Sequence, residues 1–284
     1  MGNKEIIQQI IEENALELEG VEIIETALEP ARMKKFADAL YAKRQRRGIT
    51  LFEAQKLMRD RNYFGAAMVE FGEADAMISG LTKNYVSTIK PALQVIGTEK
   101  GVNRVAGMYL MLTKKGPMFF ADTTINVNPT VDELVDITLL VNKSVKQFNI
   151  KPRIAILSYS NFGSNEGEVP NKTREAVRIL HQQHPSIMVD GEMQANFALN
   201  KSLLNDNFPF SKLKNSPANT LVFPSLDAGN IAYKLLQELG GAEAVGPILL
   251  GMAKPVHVLQ LGSSVREIVN MVTIAVVDAQ AKQG

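Results

Sequence analysis

The chain contains no cysteine, which excludes thiolate catalysis, disulfides and cysteine-ligated zinc. Histidine is nearly as scarce. The three residues, His181, His184 and His257, lack the HExxH spacing that puts two imidazoles on one helical face, so neither a structural nor a catalytic metal is expected. No apolar run approaches the length that spans a bilayer, and the opening MGNKEI lacks the charged-then-apolar layout of a secretion signal. Ile6 also breaks the N-myristoylation pattern. These absences lead to the expectation of a cytoplasmic protein with no membrane partner. A surplus of positive charge is missing too, with 31 Lys and Arg against 30 Asp and Glu. The one dense basic cluster, YAKRQRRG at 41–48, reads as a solvated helix end, so nucleic acid is not an expected partner.

What the chain does have is a length of 284 residues with 45% hydrophobic and 21% charged side chains, enough for one large domain or two smaller ones. NKEIIQQIIEENA carries apolar residues at helical spacing, and VEIIE at 21–25 is a short β-rich run, so the pattern predicts helix then strand. EPARMKKFADALYAKRQRRG reads as a helix with Pro30 in its first turn and Gly48 at its end. Thr50 and Glu53 form a capping box for the next helix. After a brief apolar run, ADAMISG, and a helix from Tyr85, two β-rich runs joined by KKG give a hairpin signal at 104–124.

From Pro129 onward helices alternate with strands: TVDELVDITLLVNKSVKQF, RIAILSY, NKTREAVRILHQQH, IMVDGE, QANFALNKSLL, TLVFP and AGNIAYKLLQELGG. Strands separated by amphipathic helices of this length indicate βαβ units, so the fold class is α/β with a mostly parallel sheet covered on both faces. Ligands of such sheets bind beyond the carboxyl ends of the strands. Four stretches therefore matter most: SYSNFGSNEG at 158–167, DGEMQ at 190–194, FPSLDAGN at 223–230, and VHVLQLGSSVRE at 256–267.

SYSNFGSNEG offers Ser158, Ser160 and Ser164 with Gly163 and Gly167, a composition able to turn backbone N–H groups toward an anion. Ordinary serine and glycine turn chemistry explains it equally well. In FPSLDAGN, Asp227 and Asn230 either cap the following helix or contact ligand. Arg44 and Lys90 are candidate phosphate partners, although single cations on helices are commonly surface charges. Neither GxGxxG nor GxxxxGK[ST] occurs, so no dinucleotide or nucleoside-triphosphate site is signalled.

A run of motifs in order, NYFGAAMVEFGEADAMISG, KPALQVIGT, AILSYSNFGS, VDGEMQ and LVFPSLDAGNIAYKLLQELGGAEAVGPILLGMAKPV, resembles the phosphate acetyl/butyryl transferase family from about Gly2 to Gln280. The resemblance implies two doubly wound, mostly parallel α/β domains with a cleft between them, as in isocitrate and isopropylmalate dehydrogenases. Residues 1–102 with 253–284 would form the first and 103–252 the second, and the family implies a homodimer. Family members usually begin with a further strand and helix before the stretch that looks like GNKEIIQQI, so the expectation is a piece of a longer polypeptide. KPVHVLQLGSSVREIVNMVTIAVVDAQ resembles most the C-terminus of the phosphotransacetylase-like half of hybrid NADP-dependent malic enzymes. That resemblance implies a covalently linked malate-decarboxylating half, to which NADP and a divalent metal would be confined, and acetyl-CoA as a regulatory ligand of this half.

In active members of the family the CoA thiol attacks the carbonyl of acetyl phosphate, with a carboxylate assisting deprotonation and Ser and Arg stabilising charge. The family's Ser-Arg pair falls here on Gln260 and Leu261, which removes a hydroxyl donor and a permanent cation. A second family arginine is Lys90, which keeps charge but loses the bidentate fork. The arginine of the basic helix remains as Arg44. The catalytic aspartate matches Glu267, which also completes a capping box, Ser264-Val265-Arg266-Glu267. The expectation is an acetyl-CoA-binding regulatory domain without acetyltransferase activity, with no catalytic residues and with ligand contacts drawn from Arg44, Lys90, Ser158, Tyr159, Ser160, Gly163, Ser164, Asp227, Asn230, Gln260 and Glu267. The alternatives are a working phosphate acyltransferase with an altered tip, and a scaffold that only holds a larger enzyme together.

Overall fold

The computed structural model describes residues 1–82 and 85–283. The first helix, α1 (Lys4–Glu13), is N-capped by Asn3, whose side chain accepts from the Ile6 N–H. The predicted strand at 21–25 does not form. Its residues lead without regular structure into a 3-10 turn at Thr26–Leu28, and the backbone bonds of the run among the described residues join Gly2 N–H to the Ile24 carbonyl and Leu28 N–H to the Glu25 carbonyl. β-propensity is a preference for a paired, half-buried surface. Here only Ile24 is buried, and among the described residues no neighbouring strand offers a ladder.

α2 (Pro30–Arg44) starts on the predicted proline. The capping box of Thr50 and Glu53 is present in both directions at α3 (Leu51–Leu57). α4 (Arg61–Glu70), β1 (Met77–Gly80) and α5 (Tyr85–Val95) follow, then the hairpin β2 (Ala106–Thr113) and β3 (Gly116–Ala121). The regular half runs α6 (Val131–Gln147), β4 (Ile154–Leu157), α7 (Glu168–Gln183), β5 (Val189–Met193), α8 (Ala195–Leu199), α9 (Lys201–Asn207), β6 (Thr220–Val222) and α10 (Leu226–Gly240). β7 (Glu243–Leu250), β8 (Val256–Leu259) and α11 (Val265–Gln283) close the chain.

One predicted helix is two. QANFALNKSLL breaks at Asn200, which ends α8 in an extended conformation and caps α9 by accepting from Leu203 N–H. A side-chain oxygen able to satisfy backbone donors competes with helix continuation. The pattern also gave no strand at 243–250, where Gly246 and Pro247 dilute the apolar run. A proline is tolerated there because β7 is an edge strand, paired only with β2.

The six-stranded sheet has the order β5-β4-β6-β3-β2-β7, parallel except at β2, which is antiparallel to both neighbours. Alternate residues feed opposite faces, as the period of two requires. Met108, Phe119, Ala121, Ile154, Ile156 and Val222 pack with α6 and α7. Tyr109, Phe120, Ala155, Leu157, Leu221 and Phe223 pack with α8, α9 and α10. β1 and β8 form a separate two-stranded parallel sheet, wrapped by α2, α3, α4 and α5 around Phe36, Met58 and Phe64.

Candidate functional site

The carboxyl ends of β3 and β6 meet the start of α10. Ser225 caps that helix through the Ala228 N–H, and Gly229 lies so close to β3 that a Cβ would fall 2.4 Å from the Asp122 carbonyl oxygen. Asn230 donates its side-chain amide to the Thr123 carbonyl at 3.1 Å, while Asp227 is exposed on the first turn. Asn230 thus ties helix to strand end, and Asp227 is left to solvent. Below them, the buried Asp122 accepts from the backbone of Gly107, Thr124, Ile125 and Asn126 and from the Asn126 side chain. Burial pushes this carboxyl up, and the converging donors only partly oppose it.

The loop at 158–167 does turn its donors toward an anion, and the anion belongs to the protein. Glu192, with no exposed surface, accepts from Ser160 Oγ at 2.9 Å and Gly163 N–H at 2.8 Å. Arg174 on α7 completes the set with Nε and Nη2, each at 3.2 Å. Burial raises this carboxyl, but Arg174, Gly163 and Ser160 outweigh it and hold it below the usual glutamate value. Ser164 Oγ accepts from Asn161 N–H at 3.0 Å, and Ser158 Oγ accepts from Ser160 N–H at 3.3 Å. Tyr159 projects outward, 56% exposed. Four of the five candidates in this loop are engaged in holding the loop together.

The stretch after β8 forms the wall of a cavity of about 310 Å³, which Gln260, Ser263 and Glu267 share with Tyr109 of β2 and Tyr233 and Lys234 of α10. Gln260 donates its amide to Tyr109 Oη at 2.6 Å and reaches Tyr233 Oη at 3.5 Å. The two tyrosine rings stack with centroids 4.1 Å apart. Burial pushes the Tyr109 phenol well above its ordinary value, with Tyr233 adding to it, so it is a neutral hydroxyl at any physiological pH. Leu261 is 66% exposed and offers no polar group. Glu267 folds back to accept from Ser264 N–H at 2.6 Å, and Ser264 Oγ accepts from Glu267 N–H at 3.3 Å. This is the reciprocal capping box that the sequence predicts for α11.

Arg44 and Lys90 stand apart, on α2 and α5. Lys90 is exposed, with no hydrogen bond or ion pair among the described residues. Arg44 is half-buried, and its Nε is buried without a hydrogen-bond partner among the described residues. A guanidinium donor held this way is costly. Among the described residues no group of three His, Asp or Glu could hold a metal ion.

Sequence reasoning did not find Tyr109, Tyr233 or Asp122. Asp122 and Tyr109 sit inside runs that read only as strand, and Tyr233 is one apolar position of an amphipathic helix. No local signal pairs Tyr109 with Tyr233, because the sheet's order alone brings β2 beneath α10.

A family model described as "Phosphate acetyl/butaryl transferase" matches residues 1–276. The chain is 40% identical to the NADP-dependent malic enzyme of Escherichia coli over 288 residues, covering 99% of this chain but 38% of that protein. It is 36% identical to the phosphate acetyltransferase of Clostridium acetobutylicum, covering 99% of this chain and 86% of that one. A phosphotransacetylase from Staphylococcus aureus superposes with a TM-score of 0.89 at 33% identity, over 98% of this chain and 84% of its own. The chain therefore spans less than two-fifths of the malic enzyme and 86% of the Clostridium acetobutylicum transferase, but 54% of the Helicobacter pylori phosphate acetyltransferase and 40% of the Nitratidesulfovibrio vulgaris one.

Proposed function

The chain belongs to the phosphate acetyl/butaryl transferase family, and from that premise we propose that it is the acetyl-CoA-binding regulatory half of a hybrid NADP-dependent malic enzyme, without acetyltransferase activity of its own. The observation that carries this reading is the state of Gln260. The residue at the family's serine position spends its amide on Tyr109 instead of presenting a hydroxyl to substrate, and Leu261 beside it has no cation for phosphate. A lost charge-stabilising donor costs about 3 kcal/mol, or two to three decades of rate. Glu267 is likewise occupied in capping α11. The division into residues 1–102 with 253–284, and 103–252, belongs to the same proposal.

Two features support acetyl-CoA as the ligand. The cavity beside Gln260 presents hydroxyls and amides suited to the neutral acyl arm, and the half-buried Arg44 is the cation retained for an anionic group such as the ligand's phosphates. Acetyl-CoA would regulate by binding one arrangement of the linked halves more tightly than another. NADP and a divalent metal would be needed only in the malate-decarboxylating half. A homodimer is part of the proposal, and the outward apolar stripe of Ile231, Leu235 and Leu239 on α10 supports it.

The test is a pair of measurements on this chain. Calorimetric titration with acetyl-CoA is expected to give saturable binding, and an assay of acetyl-CoA formation from acetyl phosphate and CoA is expected to give none. Robust turnover would establish the second reading, a working acyltransferase, which the retained carboxylate of Glu267 at the same cavity favours. No heat at millimolar ligand would leave neither reading standing.

A further inference from the structure

β1 pairs with β8 in parallel, in register from Met77 opposite Val256 to Gly80 opposite Leu259. Among the described residues its other edge is open. Met77 N–H donates to the Pro255 carbonyl on the β8 side, and since the backbone groups of a strand alternate between its two sides, Ile78 turns its N–H and C=O to the open one. Two cavities flank that edge. One of about 190 Å³ reaches Asn62 and Ser79, and one of about 520 Å³ lies between Ile78 and α11. On α11, Val265, Val269, Val272 and Val276 point outward, 46–78% exposed. Their spacing of four, three and four residues makes an apolar stripe of the kind that packs on another helix, and Val272 and Val276 wall the larger cavity.

α1 is in the same condition. Ile6, Ile7, Ile10 and Ile11 share one face at helical spacing, yet no residue of this helix is buried. A helix of 10 residues is marginal unless such a face is covered. The chain then runs on to the strand-like residues 21–25, which find no ladder among the described residues. A helix joining two parallel strands is the usual crossover, so α1 followed by 21–25 has the form of a crossover unit without its first strand.

We propose that the open edge of β1 is the docking site of a strand–helix–strand segment joined ahead of α1 in the same polypeptide, which extends the two-stranded sheet toward residues 21–25. Its first strand pairs with β1 through Ile78, its helix lies on Val272 and Val276, and its second strand leads into α1 and gives 21–25 a partner. A single strand would leave the stripe on α11 bare, because α1 contributes nothing to the cavity there. A second copy of the chain could cover the edge but supplies no strand ahead of α1. The length fits as well. The match to the Clostridium acetobutylicum relative runs over 289 residues and 86% of that protein, which leaves roughly 45 residues, and a strand–helix–strand unit takes about 30 or more. The inference does not depend on which reading of Gln260 holds.

The test is native-state amide exchange on residues 1–284 and on the polypeptide that the full reading frame encodes. Expected is fast exchange at Ile78, in α1 and at residues 22–25 in the shorter chain, slowed several-fold in the longer one. Val276→Lys should leave the urea midpoint of residues 1–284 unchanged, because that side chain is already half exposed. In the longer polypeptide the same change should return Ile78 to fast exchange while the amides of the six-stranded sheet keep their protection. Three results would each overturn the proposal: a reading frame that starts at Met1, equal exchange at Ile78 and 22–25 in both polypeptides, or protection of Ile78 in residues 1–284 that grows with protein concentration, as a second copy on the edge would produce.

Discussion

Replacing Glu192 by Gln tests whether the loop at 158–167 is organised around an internal anion. The buried carboxylate accepts four hydrogen bonds, from Ser160, Gly163 and two nitrogens of Arg174. Glutamine keeps one carbonyl oxygen, enough for Ser160 and Gly163, but turns an NH₂ group toward the guanidinium, donor against donor. The loss is the negative charge and the Nε–Oε2 arm of the Arg174 fork, since Nη2 shares Oε1 with Ser160 and Gly163. Hydrogen bonds to charged groups contribute about 1.5–3 kcal/mol each, and the 37% side-chain exposure of Arg174 discounts its share. We expect a destabilisation of about 2–3 kcal/mol at pH 7, measured by urea unfolding. The pH dependence has a definite sign. The folded carboxyl lies below its ordinary value, so its contribution is complete above the ordinary glutamate pKa and is lost as pH falls through the folded value. The parent should therefore lose more stability than Glu192→Gln between pH 5 and pH 3. A variant within about 0.5 kcal/mol of the parent at pH 7, a shift typical of inert surface changes, or one with the same acid slope, would refute the argument.

Ser264→Ala removes one arm of the capping box at α11 and is expected to cost about 1 kcal/mol, with faster amide exchange in the first turn of that helix as the local readout. Gly229→Ala forces a Cβ against the Asp122 carbonyl at 2.4 Å, and should cost about 1–3 kcal/mol as α10 is pushed off β3, measured by thermal or urea unfolding. Restoring the family's pair through Gln260→Ser with Leu261→Arg is expected to raise acetyl-CoA formation from acetyl phosphate above the parent's. A rate no higher than the parent's would show that Glu267, held in its cap, is the limiting loss.

Much of the architecture was legible because it is local. The α3 and α11 capping boxes are four-residue signals, and each forms as read. The alternation of strands and helices after Pro129 predicts the mostly parallel sheet, since a parallel pair needs a crossover and a helix is the usual one. The failures are non-local. The run at 21–25 has strand composition but no strand partner among the described residues, and β7 lacks a clear pattern yet is held by β2. Asn200 splits a helix because its own side chain caps the second half.

The sequence by itself determined the fold class and the family, and it carries the expectation that Gln260, Leu261 and Lys90 stand where the family has Ser and Arg, because motifs in order need no coordinates. Only the tertiary structure decided what those residues do. It turned the serine loop inward onto Glu192, gave the Gln260 amide to Tyr109, and left Arg44 Nε without a hydrogen-bond partner among the described residues. Each of these depends on groups far apart in the chain that meet only when the sheets are assembled. Hydrogen-bond satisfaction is a property of that assembly and not of any local run of residues.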